Sequence, residues 1–182
     1  PVPSDILASI GSDKVLMASR SLSMPKLIAA SPAPTHRTEP TSVRFAGEMD
    51  GVYGAVTGGD GLHYLATGRG VFLLDDLERG SARMAAFEGI ASNIIVAGPG
   101  DSVWVSLGDG LHELRGGVAT GRTFQQFGGG FTALATFQDS LIAARFSRIV
   151  RFCPATGEAT LVADLPGISI RNLYPDQHGH VW

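Results

Sequence analysis

The sequence predicts an all-β chain made of repeated β-propeller blades. Three observations carry that expectation: a repeat of about 40 residues, glycine-rich turns between short β-prone runs, and no stretch with a convincing helical period. The repeat is seen in DGLHYLATGRGVFLL (60–74), DSVWVSLGDGLHELR (101–115) and DSLIAARFSRIVRFC (139–153), which align without a gap and each open on an aspartate. HGHVW (178–182) matches the opening of the unit, and SDKVLMAS (12–19) is a weaker first copy. Taking His63, Trp104, Ile142 and Trp182 as equivalent gives spacings of 41, 38 and 40 residues. A period of that size holding several short strands is that of a blade.

Each element follows from local pattern. The 24 glycines far exceed an average share and cluster as GGDG, GRG, GPGD, GDG and GGG, where tight hairpins need the left-handed backbone that glycine adopts without steric cost. In the copy around 93–127 the inner strand is NIIVAG, the second SVWVSL, the third GLHELR and the outer RTFQQF. Runs such as Val103-Trp104-Val105 and Val71-Phe72-Leu73-Leu74 are apolar without alternation, which suits strands covered on both faces by stacked neighbours. The expected organisation is an irregular first blade over 1–31, a proline-containing loop or linker over 32–50, blades over 52–92, 93–130 and 131–167, and a truncated blade over 168–182. Pro32, Pro34 and Pro40 break pairing in the linker. Four to five blades, the last stopping at Trp182 within a strand motif, are expected to be a fragment of a larger propeller protein.

Composition narrows the function. Fourteen basic and seventeen acidic residues give a net charge of −3, with no basic run able to neutralise successive phosphates, so nucleic acid is not an expected partner. No apolar stretch reaches the ~18 residues of a membrane span. Cys153 is the only cysteine, which excludes an internal disulfide; following an apolar strand with no nearby histidine, it reads as a buried, inert thiol.

Few residues have the spacing of a chemical site. His178 and His180 form HGH, a possible ligand pair, but no third ligand is visible nearby and a turn role is the simpler reading. His63 and His112 occupy strand positions and are expected to pack within a blade. Asp60, Asp101 and Asp139 lack a calcium-loop pattern and are expected to bond nearby backbone amides at strand entrances. No metal or other cofactor is assigned, and no catalytic residue. Blade topology places the turn between second and third strands on the same rim as the connection to the next blade. Arg69, Asp109 and Arg148 are the charged members of three such turns, and Arg145 adds a cation where other copies have Thr67 and Leu107, so these four are the candidate ligand contacts.

The segments ISIRNLYPDQHGHVW (168–182) and DSVWVSLGDGLHEL (101–114) join a turn, an apolar-tryptophan strand and a glycine-leucine strand. In this the chain resembles the two-component regulator propeller repeat, over most of its length from about Val52. That resemblance implies the periplasmic or extracellular sensor part of a bacterial membrane-bound signalling protein, with a small molecule or protein as ligand and a membrane-anchored signalling domain in the full-length chain. RFCPATGEATLVADLPG (151–167) is similar to streptogramin lyase and NHL-type propellers. This second resemblance implies a metal-assisted lyase using a histidine, a glutamate and magnesium, although no segment here matches those residues. A binding sensor is therefore the leading expectation, with a lyase-type enzyme or a structural interaction platform as alternatives.

Overall fold

The computed structural model describes residues 6–10, 14–18, 26–30, 41–44, 51–76, 81–176 and 178–182. They contain no helix and form four four-stranded antiparallel sheets. The first holds β1 (Ile6–Ile10), β2 (Lys14–Ala18), β3 (Lys26–Ala30) and β4 (Thr41–Arg44). The second holds β5 (Val52–Thr57), β6 (His63–Thr67), β7 (Gly70–Asp76) and β8 (Ser81–Ala86). The third holds β9 (Ile94–Ala97), β10 (Val103–Ser106), β11 (Leu111–Arg115) and β12 (Val118–Phe124). The fourth holds β13 (Ala133–Phe137), β14 (Ser140–Arg145), β15 (Arg148–Cys153) and β16 (Glu158–Asp164).

Within every sheet each strand pairs with its sequence neighbour, and the leading strands β1, β5, β9 and β13 lie side by side in that order. Up-and-down sheets joined through adjacent inner strands are propeller blades. Of the proline-containing stretch 32–50, residues 41–44 are strand β4 paired to β3; the remainder, prolines included, lies outside the described residues. The outer strand of the third blade runs over Val118–Phe124, earlier than RTFQQF placed it, because Gly116 and Gly117 turn the chain directly after β11 with positive φ.

The cores lie between blades. Tyr64, Ala66, Val71 and Leu73 of the second blade meet Val103, Val105, Leu107 and Leu114 of the third. The other face of the third blade presents Trp104, Leu111 and Phe124 to Leu141, Ala143, Val150 and Phe152 of the fourth. All four side chains of β10 are buried, which is why its sequence does not alternate. Phe124 and Phe152 have ring centroids 5.1 Å apart, with Trp104 at 5.2 Å and Phe131 at 5.6 Å from their nearest partners. Burying each such ring contributes about 1.5–3 kcal/mol.

This sidedness corrects the repeat alignment by one residue. Tyr64 faces the third blade as Trp104 faces the fourth, whereas His63 lies on the opposite face of its strand. Tyr64, not His63, is therefore the counterpart of Trp104; Ile142 keeps its place. Side chains alternate faces along a strand, so a one-residue slip exchanges inside for outside. Each aromatic anchor also ties its polar tip to the turn ahead: Tyr64 Oη donates to Asp60 Oδ2 at 2.6 Å, and Trp104 Nε1 to Ser102 Oγ at 3.1 Å.

Asp60 also latches the next blade. The amide of Gly116 donates to Asp60 Oδ2 at 3.1 Å and that of Gly117 to Tyr64 Oη at 3.0 Å, joining the second blade's loop to the third blade's outer hairpin. Burial, reinforced by the neighbouring carboxylate, pushes the Tyr64 hydroxyl up to about 12.

Candidate functional site

Three hairpins carry the candidate residues. The turn after β6 is Thr67-Gly68-Arg69-Gly70, that after β10 is Leu107-Gly108-Asp109-Gly110, and that after β14 is Arg145-Phe146-Ser147-Arg148. Each turn is stitched to the connection that follows its blade. The amide of Gly89 donates to Arg69 O at 2.9 Å, that of Gly130 to Leu107 O at 3.0 Å, and those of Leu165 and Ile170 to Ser147 O and Phe146 O at 3.0 and 2.9 Å. Turns and connections thus share one rim, as blade topology requires. Arg145 and Arg148 face each other across their hairpin, so Arg148 takes the place of Gly70 and Gly110, and Ser147 that of Arg69 and Asp109.

The four candidates differ in their surroundings. Asp109 is held locally, with Oδ1 2.7 Å from His112 Nε2 and Oδ2 accepting from Gln125 Nε2 at 2.9 Å; the histidine contact holds its carboxyl below the usual range. Arg69 sits in a turn whose backbone is fixed by Thr67 Oγ1, which accepts from the Arg69 amide at 3.1 Å and donates to Gly70 O at 2.8 Å. Arg148 Nε donates to Asp164 Oδ2 at 3.1 Å, and Ser147 Oγ donates to the other oxygen of that carboxylate at 2.9 Å. These contacts, Ser147 first, hold Asp164 below its ordinary value. Arg145 is half-buried and donates from Nη1 to the carbonyl of Phe127 at 3.0 Å, with no carboxylate partner among the described residues.

Arg145 and Arg148 line one cavity of about 440 Å³ together with Phe127, Phe131, Phe146, Ser147 and Val150. A second cavity, of about 640 Å³, is lined by Tyr53, Asn93, Ile94, Phe131, Thr132, Phe146, Ser169 and Arg171. The two share Phe131 and Phe146 in their linings, so they adjoin. Tyr53, Asn93, Thr132 and Ser169 come from chain at or just before the inner strands and from the connection beyond the fourth blade, which sets the second cavity toward the propeller axis. Arg69 and Asp109 line neither cavity.

Phe146 stands out. It is 65% exposed and has φ of 53°, in the left-handed region, which Gly68 and Gly108, at the same place in the other two turns, do not adopt. A bulky side chain there is uncommon, and unlike Phe87, which shares the region and packs against the core, Phe146 leaves its ring exposed. The Arg145 guanidinium carbon lies 6.0 Å from its ring centroid. Phe131, Phe146 and Arg171 escaped sequence reasoning; the readable signal was Phe146 where Gly68 and Gly108 stand in the other copies.

The remaining chemistry is structural. Asp176 Oδ1 accepts the amides of His178 and His180 at 2.8 and 2.9 Å, and Oδ2 accepts Trp182 Nε1 at 3.0 Å; the His180 amide, then Trp182, holds this carboxyl at about 2. HGH is thus a turn wrapped on an aspartate. Thr57 Oγ1 lies 3.0 Å from His63 Nδ1, and burial lowers the imidazole's pKa. Asp60 bonds the Leu62 amide at 3.0 Å as expected, but Asp101 and Asp139 point to solvent and make no such bond. In the third blade Ser102 does that work, donating to Pro99 O and accepting from Trp104. Cys153 is half-exposed rather than buried, and hydrogen bonds from Thr156 lower its thiol pKa. Among the described residues no three His, Cys, Asp or Glu side chains converge to hold a metal ion, and no helix is long and apolar enough to cross a membrane.

The fold and the rim define a β-propeller, the class in which ligands commonly meet loops at one end of the blades. No protein-family profile matches the sequence, and no curated protein matches it. Solved structures do. The extracellular domain of a protein described as a hybrid two component system from B. thetaiotaomicron matches with a TM-score of 0.72 at 16% identity, over 97% of this chain and 25% of that one. A catalytically inactive virginiamycin B lyase from Staphylococcus aureus, solved with quinupristin, matches with a TM-score of 0.75 at 16% identity, over 100% of this chain and 64% of that one. The WD40 β-propeller domain of Doa1 matches at 0.69 and 12% identity, over 96% and 58%. Both kinds of propeller that the repeat resembles in sequence are thus among its structural neighbours, and the chain spans about a quarter of the two-component domain.

Proposed function

We propose that this chain is a binding propeller that serves as the input module of a signalling protein and receives its ligand at the rim of the fourth blade. The observation that carries this reading is the cavity in which Arg145, a cation without a carboxylate partner among the described residues, lies beside the exposed ring of Phe146. Half-burial strengthens the field of such a charge relative to one in open water, and concavity supplies contact area. The similarity to an extracellular two-component domain supports sensing and an extracytoplasmic place.

A screen of small anionic and neutral solutes, read by backbone amide resonances of the full chain, tests the reading. Binders are expected to shift residues 145–148 and 169–171 together. Binders that shift only the opposite rim, or the absence of any specific binder, would overturn it.

A further inference from the structure

We infer that the ligand of this rim is a small aromatic anion: a flat ring seated against Phe146, with a single carboxylate-like group on Arg145. The inference rests on the rim reading above and specifies its chemistry. Four features lead to it. First, Phe146 lines both cavities with a ring that is 65% exposed, and it holds φ of 53°, a left-handed conformation that its counterparts Gly68 and Gly108 do not adopt. A glycine would close this hairpin with less strain, so the ring itself is the retained feature.

Second, the charge count at the near cavity is one. Arg148 is already matched by Asp164, which Ser147 also holds, whereas Arg145 spends one nitrogen on the neutral carbonyl of Phe127. One uncompensated guanidinium suits a monoanion better than a phosphate dianion. Third, the planar fork of Arg145 can direct two parallel hydrogen bonds at a carboxylate while the Phe146 ring lies alongside, which orients a ligand bearing both groups. Fourth, about 440 Å³ accommodates one or two fused rings and an acid group. Arg171, exposed on the far side of Phe146, adds attraction at the mouth that water and salt screen.

Isothermal titration of the full chain with 2-naphthoate, 2-naphthol and acetate at neutral pH separates ring from charge. Naphthoate is expected to bind roughly tenfold or more tightly than either of the others, Arg145→Gln to reduce it to the naphthol level, and Phe146→Gly to reduce it as well, on the ordinary scale of a charge-assisted hydrogen bond and an aromatic contact. Arg148→Gln is expected to change affinity less than twofold, because its charge is already spent on Asp164. Equal binding of naphthol, or of acetate, overturns the aromatic-anion assignment while leaving the rim as the binding place. So does silence from all three probes if other solutes in the screen shift 145–148. Naphthoate binding that is indifferent to both Arg145→Gln and Phe146→Gly, with resonance shifts elsewhere, sinks the assignment and the rim reading together.

Discussion

The hairpin turns of the second and third blades and that of the fourth occupy the same place in the repeat but are built on opposite terms. In the first two, glycines fill the tight positions and the polar side chains turn back on their own blade: Thr67 onto Gly70 and the Arg69 amide, Asp109 onto His112 and Gln125. In the fourth, a phenylalanine with left-handed φ stands where the others have Gly68 and Gly108, Arg148 stands where they have Gly70 and Gly110, and both Arg145 and Arg148 line a cavity. Neighbouring outer strands explain part of the difference. A Cβ at Gly70 would lie 2.7 Å from Phe87 O, and one at Gly110 would collide with Phe124 O, whereas the side chain of Arg148 has room to extend, largely exposed, to Asp164. Turns closed in on their own blade serve the scaffold, whereas the fourth turn, which displays its side chains, is the one proposed to serve recognition.

Gly110→Ala is the strongest way to break this contrast. The added methyl meets backbone atoms of Phe124 and Gln125 that cannot swing aside, so the substitution is expected to cost about 2–3 kcal/mol in a urea melt. A cost under about 0.5 kcal/mol would mean that the third blade's turn is as open as the fourth's.

A smaller effect, with a distinctive pH signature, is expected at the latch between second and third blades. Tyr64→Phe removes the hydroxyl that bonds Asp60 and accepts the Gly117 amide, leaving that buried amide unpaired, at a cost of about 1–2 kcal/mol at neutral pH. The folded chain holds the hydroxyl protonated up to about 12 against an ordinary 10.0. Its contribution is therefore complete below pH 10 and is lost as pH rises toward 12. Stability curves of the two proteins should converge across that window. Curves that stay parallel from pH 9 to 12 would show that Tyr64 holds the seam by packing alone.

The scaffold was legible in the sequence because its causes are local and repeated. Glycines mark the hairpins, and doubly covered strands betray themselves by apolar runs such as Val103-Trp104-Val105. What failed was register. An aspartate stands at the head of each copy, and aligning on it put His63 opposite Trp104, although Asp101 and Asp139 make none of the bonds that Asp60 makes. The true constraint is which face meets the next blade, and that depends on tertiary contact. For the rim, topology alone gathered Arg145 and Arg148 onto one cavity. Phe146 was visible in the sequence as a departure from Gly68 and Gly108, but that its ring and the distant Arg171 line one cavity became readable only when two connections far apart in sequence were seen to meet.

The smallest expected change in stability is also the one with a reversed sign. Phe146→Gly removes a left-handed strain that costs an L-residue about 1–2 kcal/mol, against an added unfolded-state entropy of about 0.5–1 kcal/mol for glycine. The ring is mostly exposed, so little buried apolar area is lost with it. The variant is expected to be as stable as the parent or more stable by about 0.5–1 kcal/mol in urea, while binding of solutes at the rim weakens. Gain of stability with loss of binding is the pattern of a residue kept for recognition at the expense of the fold. A loss of more than about 1 kcal/mol would instead show that Phe146 packs as part of the blade, and would place the fourth turn with the scaffold turns of the second and third.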